Sequence, residues 1–187
     1  MIGVGLLVLL GLAVLVVGWV IGTFNALVRL RNQLRNAWAQ IDVQLKRRYD
    51  LIPNLVETVK DYMEYEQDVL TSVTEARAAA VSAEGPAQQA AAENMLTRSL
   101  RSLFAVVENY PELKANENVM KLQEELTGTE NRIAFSRQFY NDTVMRFNTR
   151  LETFPANLIA GMLGFSAAEF FATDDDDERE PVRVDLR

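Results

Sequence analysis

The sequence contains no cysteine and no histidine. Disulfides, thiol nucleophiles, imidazole bases and the usual zinc sites are therefore excluded. A serine–histidine–aspartate relay and a ferritin-like di-iron centre both need histidine, so they are excluded as well. The sequence also lacks a glycine-rich phosphate-binding loop. We predict that the protein is not an enzyme, has no catalytic or metal-binding residue, and uses no cofactor.

Positive charge is scarce, since 19 Lys and Arg residues stand against 26 Asp and Glu residues and give a net charge of -7 at pH 7. An acidic chain of this kind is a poor nucleic-acid binder, so we predict no nucleic-acid partner. Aromatic residues make up only 9% of the chain, although hydrophobic residues reach 49%. This excess is concentrated in an aliphatic run at the N-terminal end.

Residues 2–28 carry no ionisable side chain. About 20 helical residues cross the ~30 Å hydrocarbon core of a bilayer, so the run is long enough for a transmembrane helix with the lipid bilayer as its partner. It exceeds the apolar core of a cleaved secretory signal and no basic residue precedes it, which favours a retained single-pass anchor. Arg29, Arg31 and Arg35 follow the run, and the positive-inside rule then places the N-terminus outside and the body in the cytoplasm.

Three glycines, Gly11, Gly18 and Gly22, recur along the predicted transmembrane helix. Their spacings of seven and four residues bring them to one side of an α-helix. Small residues at such spacings let two helices approach closely in lipid, so we predict that this face packs against another membrane helix. The alternative is that glycine is simply common in transmembrane helices.

The helix is predicted to continue out of the membrane, because residues 26–52 contain no Gly or Pro and apolar side chains recur at steps of three and four. Pro53 is expected to interrupt it. Further helices are predicted over about 55–80, 87–108 and 116–154, with a turn at Gly85-Pro86. The last of them has a nearly heptad pattern, which favours coiled-coil-like packing.

No alternation typical of β-strands is present. The predicted fold is therefore all-α, with an N-terminal transmembrane helix that continues into an elongated antiparallel helical bundle. We predict a transmembrane anchor at 1–28, the bundle at 29–165 and an acidic tail at 166–187. The tail ends in TDDDDEREPVRVDLR, whose charge and low apolar content predict disorder.

Two features of the bundle predict contacts beyond it. Asn141 and Asn148 lie seven residues apart on a second face of the last long helix, where asparagine can fix register or oligomer state, although a plain solvent face is the alternative. Residues 157–165 form an apolar segment too short to cross a membrane. The segment would cap the bundle, pack against another copy or dip into the membrane interface. We favour the first two, with oligomer or partner contact through Leu158, Ile159, Met162 and Phe165.

Lys46, Arg47 and Arg48 form a basic cluster about 20 residues beyond the span, or ~30 Å along a straight helix. We predict that this cluster contacts acidic partners or lipid headgroups. Its distance from the membrane favours carboxylates on a neighbouring helix over headgroups. A solvated helix face is the alternative.

Several blocks of the sequence, in this order, resemble the LemA family: FNALV (24–28), IDVQLKRRYDLIPNLVETVKDY (41–62), ENYPELKANENV (108–119), LTGTENRIAFSRQFYND (126–142) and RFNTRLETFP (146–155). Phe24 stands where the family usually has tyrosine, and Tyr65 where it often has histidine. The resemblance implies one transmembrane helix and a long antiparallel helical body at a bacterial cytoplasmic (inner) membrane, with no established activity or cofactor. A LemA-like relative takes part in forming magnetosome membranes, which implies membrane organisation by analogy.

These features together predict a non-catalytic, membrane-anchored scaffold that forms homo-oligomers and organises the membrane surface or membrane proteins. Long helices tethered in one plane meet at a raised effective concentration, so weak lateral contacts suffice. The alternative function is that of an adaptor or regulatory subunit of another membrane protein, such as a protease or a transporter.

Overall fold

The computed structural model describes residues 2–172, and this part of the chain contains helices but no strand. The helices are α1 (Ile2–Lys60), α2 (Gln67–Ser82), α3 (Gly85–Val107), α4 (Pro111–Lys114), α5 (Glu117–Glu152) and α6 (Asn157–Ala160). The predicted all-α fold, in which a long apolar N-terminal helix continues into a helical bundle, is confirmed. Most of the predicted acidic tail, from Thr173 onward, lies outside the described residues.

The N-terminal part of α1 is uncovered, since every side chain from residue 3 to residue 19 is exposed. By length and composition, the apolar part of α1 suits a membrane span. Burial begins at Thr23 and is complete at Leu27. The helix thus passes from an uncovered apolar stretch into a packed body within about one turn.

The expectation that Pro53 interrupts the helix is wrong, because α1 continues to Lys60. Proline has no N–H to donate to the carbonyl four residues earlier, which here belongs to Tyr49. Arg77 of α2 supplies the missing donor, with its Nε 2.8 Å from the Tyr49 carbonyl oxygen. A side chain from the neighbouring helix therefore satisfies the group that proline leaves unpaired.

The other helix ends follow local signals. Gly85 begins α3 with a φ of +79°, a conformation that favours glycine, and proline occupies the first turn. The Oδ1 atom of Asn116 accepts a hydrogen bond from the Asn118 N–H at 2.9 Å and caps the start of α5. The single-turn helix α4 lies between α3 and α5 and also has proline in its first turn.

The chain forms two compact units. Unit 1 combines the residues up to Asp42 with Phe135–Glu169, and its core cluster comprises Leu27, Phe147, Ala160 and Phe165. Unit 2 combines Val43–Ala134 with the described residues after Glu169. The apolar core of unit 2 draws on α1, α2, α3 and α5, with Ile52, Leu55, Val59, Val73, Leu96, Leu103, Val119 and Leu126 among its members.

Candidate functional site

A buried ion-pair network lies in unit 2 and is centred on Arg48 of α1, which is only 2% exposed. Its guanidinium lies 3.0 Å from a carboxylate oxygen of Glu93 in α3 and 2.9 Å from one of Glu130 in α5. It also donates a hydrogen bond of 2.8 Å to the hydroxyl of Thr97. A single side chain therefore ties α1 to two other helices of the unit.

The second oxygen of Glu93 accepts a hydrogen bond from the hydroxyl of Tyr49. Gln89 donates to that hydroxyl at 2.8 Å and to the carbonyl of Ala80 at 3.1 Å. Burial, followed by the Glu93 hydrogen bond and charge, raises the pKa of the Tyr49 hydroxyl far above its usual range, so this group remains a donor. The arrangement positions helices, because its charged and polar groups are occupied by one another.

The three residues of the predicted basic cluster therefore lie in two different environments, one buried and one at the surface. Arg48 is buried and pairs with carboxylates on two neighbouring helices, which is the alternative that its distance from the membrane favoured, so contact with an external partner or a headgroup is corrected for this residue. Arg47 lies at the surface, 3.2 Å from a carboxylate oxygen of Glu125, and Lys46 is exposed. For these two residues, contact with an acidic partner or a headgroup remains a prediction.

The sequence did contain a signal for the buried arginine. Arg48 lies three residues after Leu45 and four before Ile52, so it occupies the apolar seam of α1. An arginine in such a seam is expected to be paired inside the protein.

Unit 1 has an aromatic centre where α1 leaves its uncovered stretch. The ring of Phe165 lies 5.8 Å from that of Phe24 and 6.4 Å from that of Phe147. The guanidinium of Arg31 lies 5.1 Å from the Phe165 ring centroid, within the range of a cation–π contact. Phe165 is therefore a core residue, and its predicted contact with another copy or partner is corrected.

The side chain of Asn148 also forms its hydrogen bonds within the chain. Its side-chain amide donates to the carbonyl of Ala168 at 2.9 Å, and its Oδ1 accepts from the Ala168 N–H at 2.8 Å. Tyr140 adds a hydrogen bond of 2.9 Å to the carbonyl of Glu169. Asn148 thus holds the segment after α6 against α5, and partner contacts by Asn141 and Asn148 remain predictions.

Two aromatic side chains of α5 that the sequence pattern did not single out are exposed to solvent. Phe135 and Phe139 of α5 are 75% and 44% exposed, and Met145 is 53% exposed. The signal lay in the spacing, because both phenylalanines fall outside the seam that contains Ile133 and Tyr140. Large aromatic residues outside a helical seam are not required by the core.

The remaining predicted contact residues lie where another molecule can reach them. Leu158 is 63% and Met162 is 87% exposed, and Ile159 is half-buried. The three glycines of the span are open, since a side-chain carbon placed on Gly11, Gly18 or Gly22 would meet no other atom within 4 Å. Contact at these positions remains a prediction. Among the described residues, no group of three or more acidic side chains is arranged to hold a metal ion.

An uncovered apolar helix that continues into a packed helical body defines the class of a membrane-associated α-helical protein. A model of the LemA family matches residues 37–186, and the chain belongs to this family. The family resemblance found in the sequence blocks is thereby confirmed.

The sequence identity to individual relatives is low. Protein LemA of Metamycoplasma hominis is 26% identical over 169 residues, covering 88% of this chain and 74% of the relative. Magnetosome protein MamQ 2 of Paramagnetospirillum magneticum is 24% identical over 174 residues, and magnetosome protein MamQ of Magnetospirillum gryphiswaldense is 23% identical over the same length. Both alignments cover 79% of this chain and 64% of the relative, so the chain spans less than two thirds of the length of these magnetosome proteins.

Proposed function

We propose that the protein is a non-catalytic scaffold that self-associates and organises the membrane surface or nearby membrane proteins. In this proposal the N-terminal part of α1 anchors it in a bacterial cytoplasmic membrane. Its similarity to magnetosome proteins supports an organising role. The proposed orientation has the N-terminus outside and the body in the cytoplasm, because Arg29, Arg31 and Arg35 follow the span.

The observation that carries the proposal is the exposed aromatic face on α5, formed by Phe135 and Phe139. Residues four apart share one side of a helix, so the two phenylalanines present a continuous apolar surface. Burial of such surface stabilises a contact by about 25 cal/mol per Å², and aromatic residues are enriched in protein interfaces. We assign this face to contact with a second copy.

Two properties of the chain strengthen weak contacts at that face. Tethering of every copy to one membrane plane raises the effective concentration of the body. The open glycine face of the span offers a further helix contact within lipid.

The mass of the full-length protein in lipid nanodiscs or mild detergent, measured by light scattering during size exclusion, tests self-association. The scaffold proposal predicts a discrete assembly several times larger than the 21.1 kDa chain. The double substitution Phe135→Ser and Phe139→Ser is expected to weaken the assembly by about tenfold or more, since exposed aromatic anchors dominate interface energies. Its helical circular dichroism should be unchanged, because both side chains are exposed, Phe135 by 75% and Phe139 by 44%.

Tyr65→Ser is the matched control, since Tyr65 is an aromatic residue that is 90% exposed outside this face. It should leave the assembly mass unchanged. A wild-type protein that is monomeric in lipid at all concentrations contradicts self-association and favours the adaptor alternative. Labelling of single cysteines introduced at Val4 and in the 174–187 tail from either side of the membrane tests the orientation.

A further inference from the structure

The chain turns back after α5 beside the segment of α1 that follows the uncovered stretch. Phe165, which follows α6, contacts Phe24, and it shares the unit 1 core with Leu27 and Ala160. At 1.5 Å per residue, Phe24 lies ~30 Å along the helix from Gly3, which is the thickness of a hydrocarbon core. The corner at residues 153–164 is therefore held close to the level at which the span leaves the hydrocarbon.

Three large apolar side chains of this corner are exposed. Phe154 is 73%, Leu158 63% and Met162 87% exposed. Ala160, which belongs to α6 with Leu158, is buried in the core, so the corner packs through Ala160 and leaves these three apolar side chains uncovered. Clustered apolar surface of this kind marks a contact with protein or membrane.

Charge around the corner favours a lipid surface as the occupant. Arg146 and Arg150 are exposed and, four residues apart, share one side of α5, and Arg31 packs on the Phe165 ring. Glu152 is the acidic neighbour in the last turn of α5. A symmetric contact with a second copy would bring like-charged arginines together, whereas anionic headgroups would pair with them.

We propose that this corner is a second membrane contact, in which Phe154, Leu158 and Met162 enter the interfacial layer of the bilayer beside the span and the arginines contact anionic headgroups. Two attachments would fix the tilt and rotation of unit 1 at the membrane, which a helix anchored by its span alone would leave free. The inference rests on the membrane anchor of the proposed function and not on self-association.

Spin labels test the contact directly, because a chain without cysteine accepts single labelled cysteines without a background. The variants Leu158→Cys and Met162→Cys are placed in the full-length protein in vesicles of zwitterionic and anionic phospholipid. Collisions of each label with oxygen, which is enriched in lipid, are compared with collisions with a water-soluble nickel complex. The proposal predicts that oxygen dominates at both positions, and that the ratio of oxygen to nickel collisions falls when anionic lipid is omitted.

Two further labels distinguish failure of this second contact from failure of the membrane anchor. Val8→Cys reports on the span, and Met120→Cys reports on an exposed site in unit 2 and should give a water-like ratio. Lipid exposure at Val8 with water exposure at Leu158 and Met162 overturns the proposal and leaves the anchor intact. Low collision rates with both reagents at Leu158 and Met162 indicate a protein contact and also overturn it. Water exposure at Val8 contradicts the anchor itself, and the second contact then fails with it.

Discussion

The two units are built around different buried groups, although each also buries an arginine, Arg48 in unit 2 and Arg137 (8% exposed) in unit 1. Unit 2 places the charged Arg48 and Glu93 inside, at 2% and 0% exposure. The core cluster of unit 1 consists of apolar side chains, with Phe165 at its aromatic centre. Unit 1 also carries the large uncovered apolar surfaces, namely the span, the Phe135–Phe139 face and the corner around Leu158.

This difference indicates a division of roles. A buried ion pair contributes little net stability, because desolvation of the charges offsets their attraction, but it penalises every arrangement in which a charge loses its partner. We therefore infer that the buried ion pairs of Arg48 specify which helices of unit 2 pack together and in which register. Apolar packing is less directional, and unit 1 combines it with surfaces that only another molecule or a membrane can cover.

The largest expected effect comes from removing the charge at the centre of unit 2. Arg48→Met leaves the fully buried Glu93 without its ion pair, and breaking a buried pair in this way costs about 3–5 kcal/mol. We expect hydrogen exchange to accelerate in α3 peptides, while peptides of residues 138–150 in unit 1 change much less. Mass spectrometry of the full-length protein in detergent measures both.

Arg47→Met is the matched control, because the neighbouring arginine pairs with Glu125 at the surface, where ion pairs contribute about 0–1 kcal/mol. The double substitution Arg48→Met and Glu93→Leu should recover much of the loss, since it removes both buried charges. Equal effects at Arg47 and Arg48 would remove the distinction between the interior of unit 2 and its surface.

Much of the helical fold could be predicted because its signals are local. The aliphatic run and the steps of three and four residues lie within short windows of sequence, as does the Gly85-Pro86 turn. The passage of α1 through Pro53 could not be predicted in this way, since the compensating donor is Arg77, which only the fold brings near. The hydrogen bonds of Asn148 could not be predicted either, because their partner is the backbone of Ala168, which lies beside α5 only after the chain has turned back.

A smaller loss of stability is expected when the hydrogen bonds between Asn148 and Ala168 in unit 1 are removed. Asn148→Ala removes both hydrogen bonds to the Ala168 backbone, which costs about 1–3 kcal/mol if the freed groups remain partly buried. We expect the Ala168 amide to exchange faster, and the effect to stay within unit 1. Asn131→Ala, at an exposed asparagine of α5 in unit 2, is the control. Unchanged protection of Ala168 would show that core packing alone holds this segment.

The smallest effect is confined to alkaline pH and tests the polar interior of unit 2. Tyr49 has an ordinary pKa of 10.0, and burial together with Glu93 raises it in the folded protein. Above about pH 10 the unfolded chain releases this proton while the folded protein retains it, so stability falls as pH rises. Tyr49→Phe removes that contribution, and its melting temperature should decline less steeply above pH 10 than that of the wild type. Tyr65→Phe, at an exposed tyrosine, should follow the wild-type slope. Parallel slopes for wild type and Tyr49→Phe would mean that the hydroxyl does not stay protonated in the fold, and that the interior of unit 2 is as open to solvent as its surface.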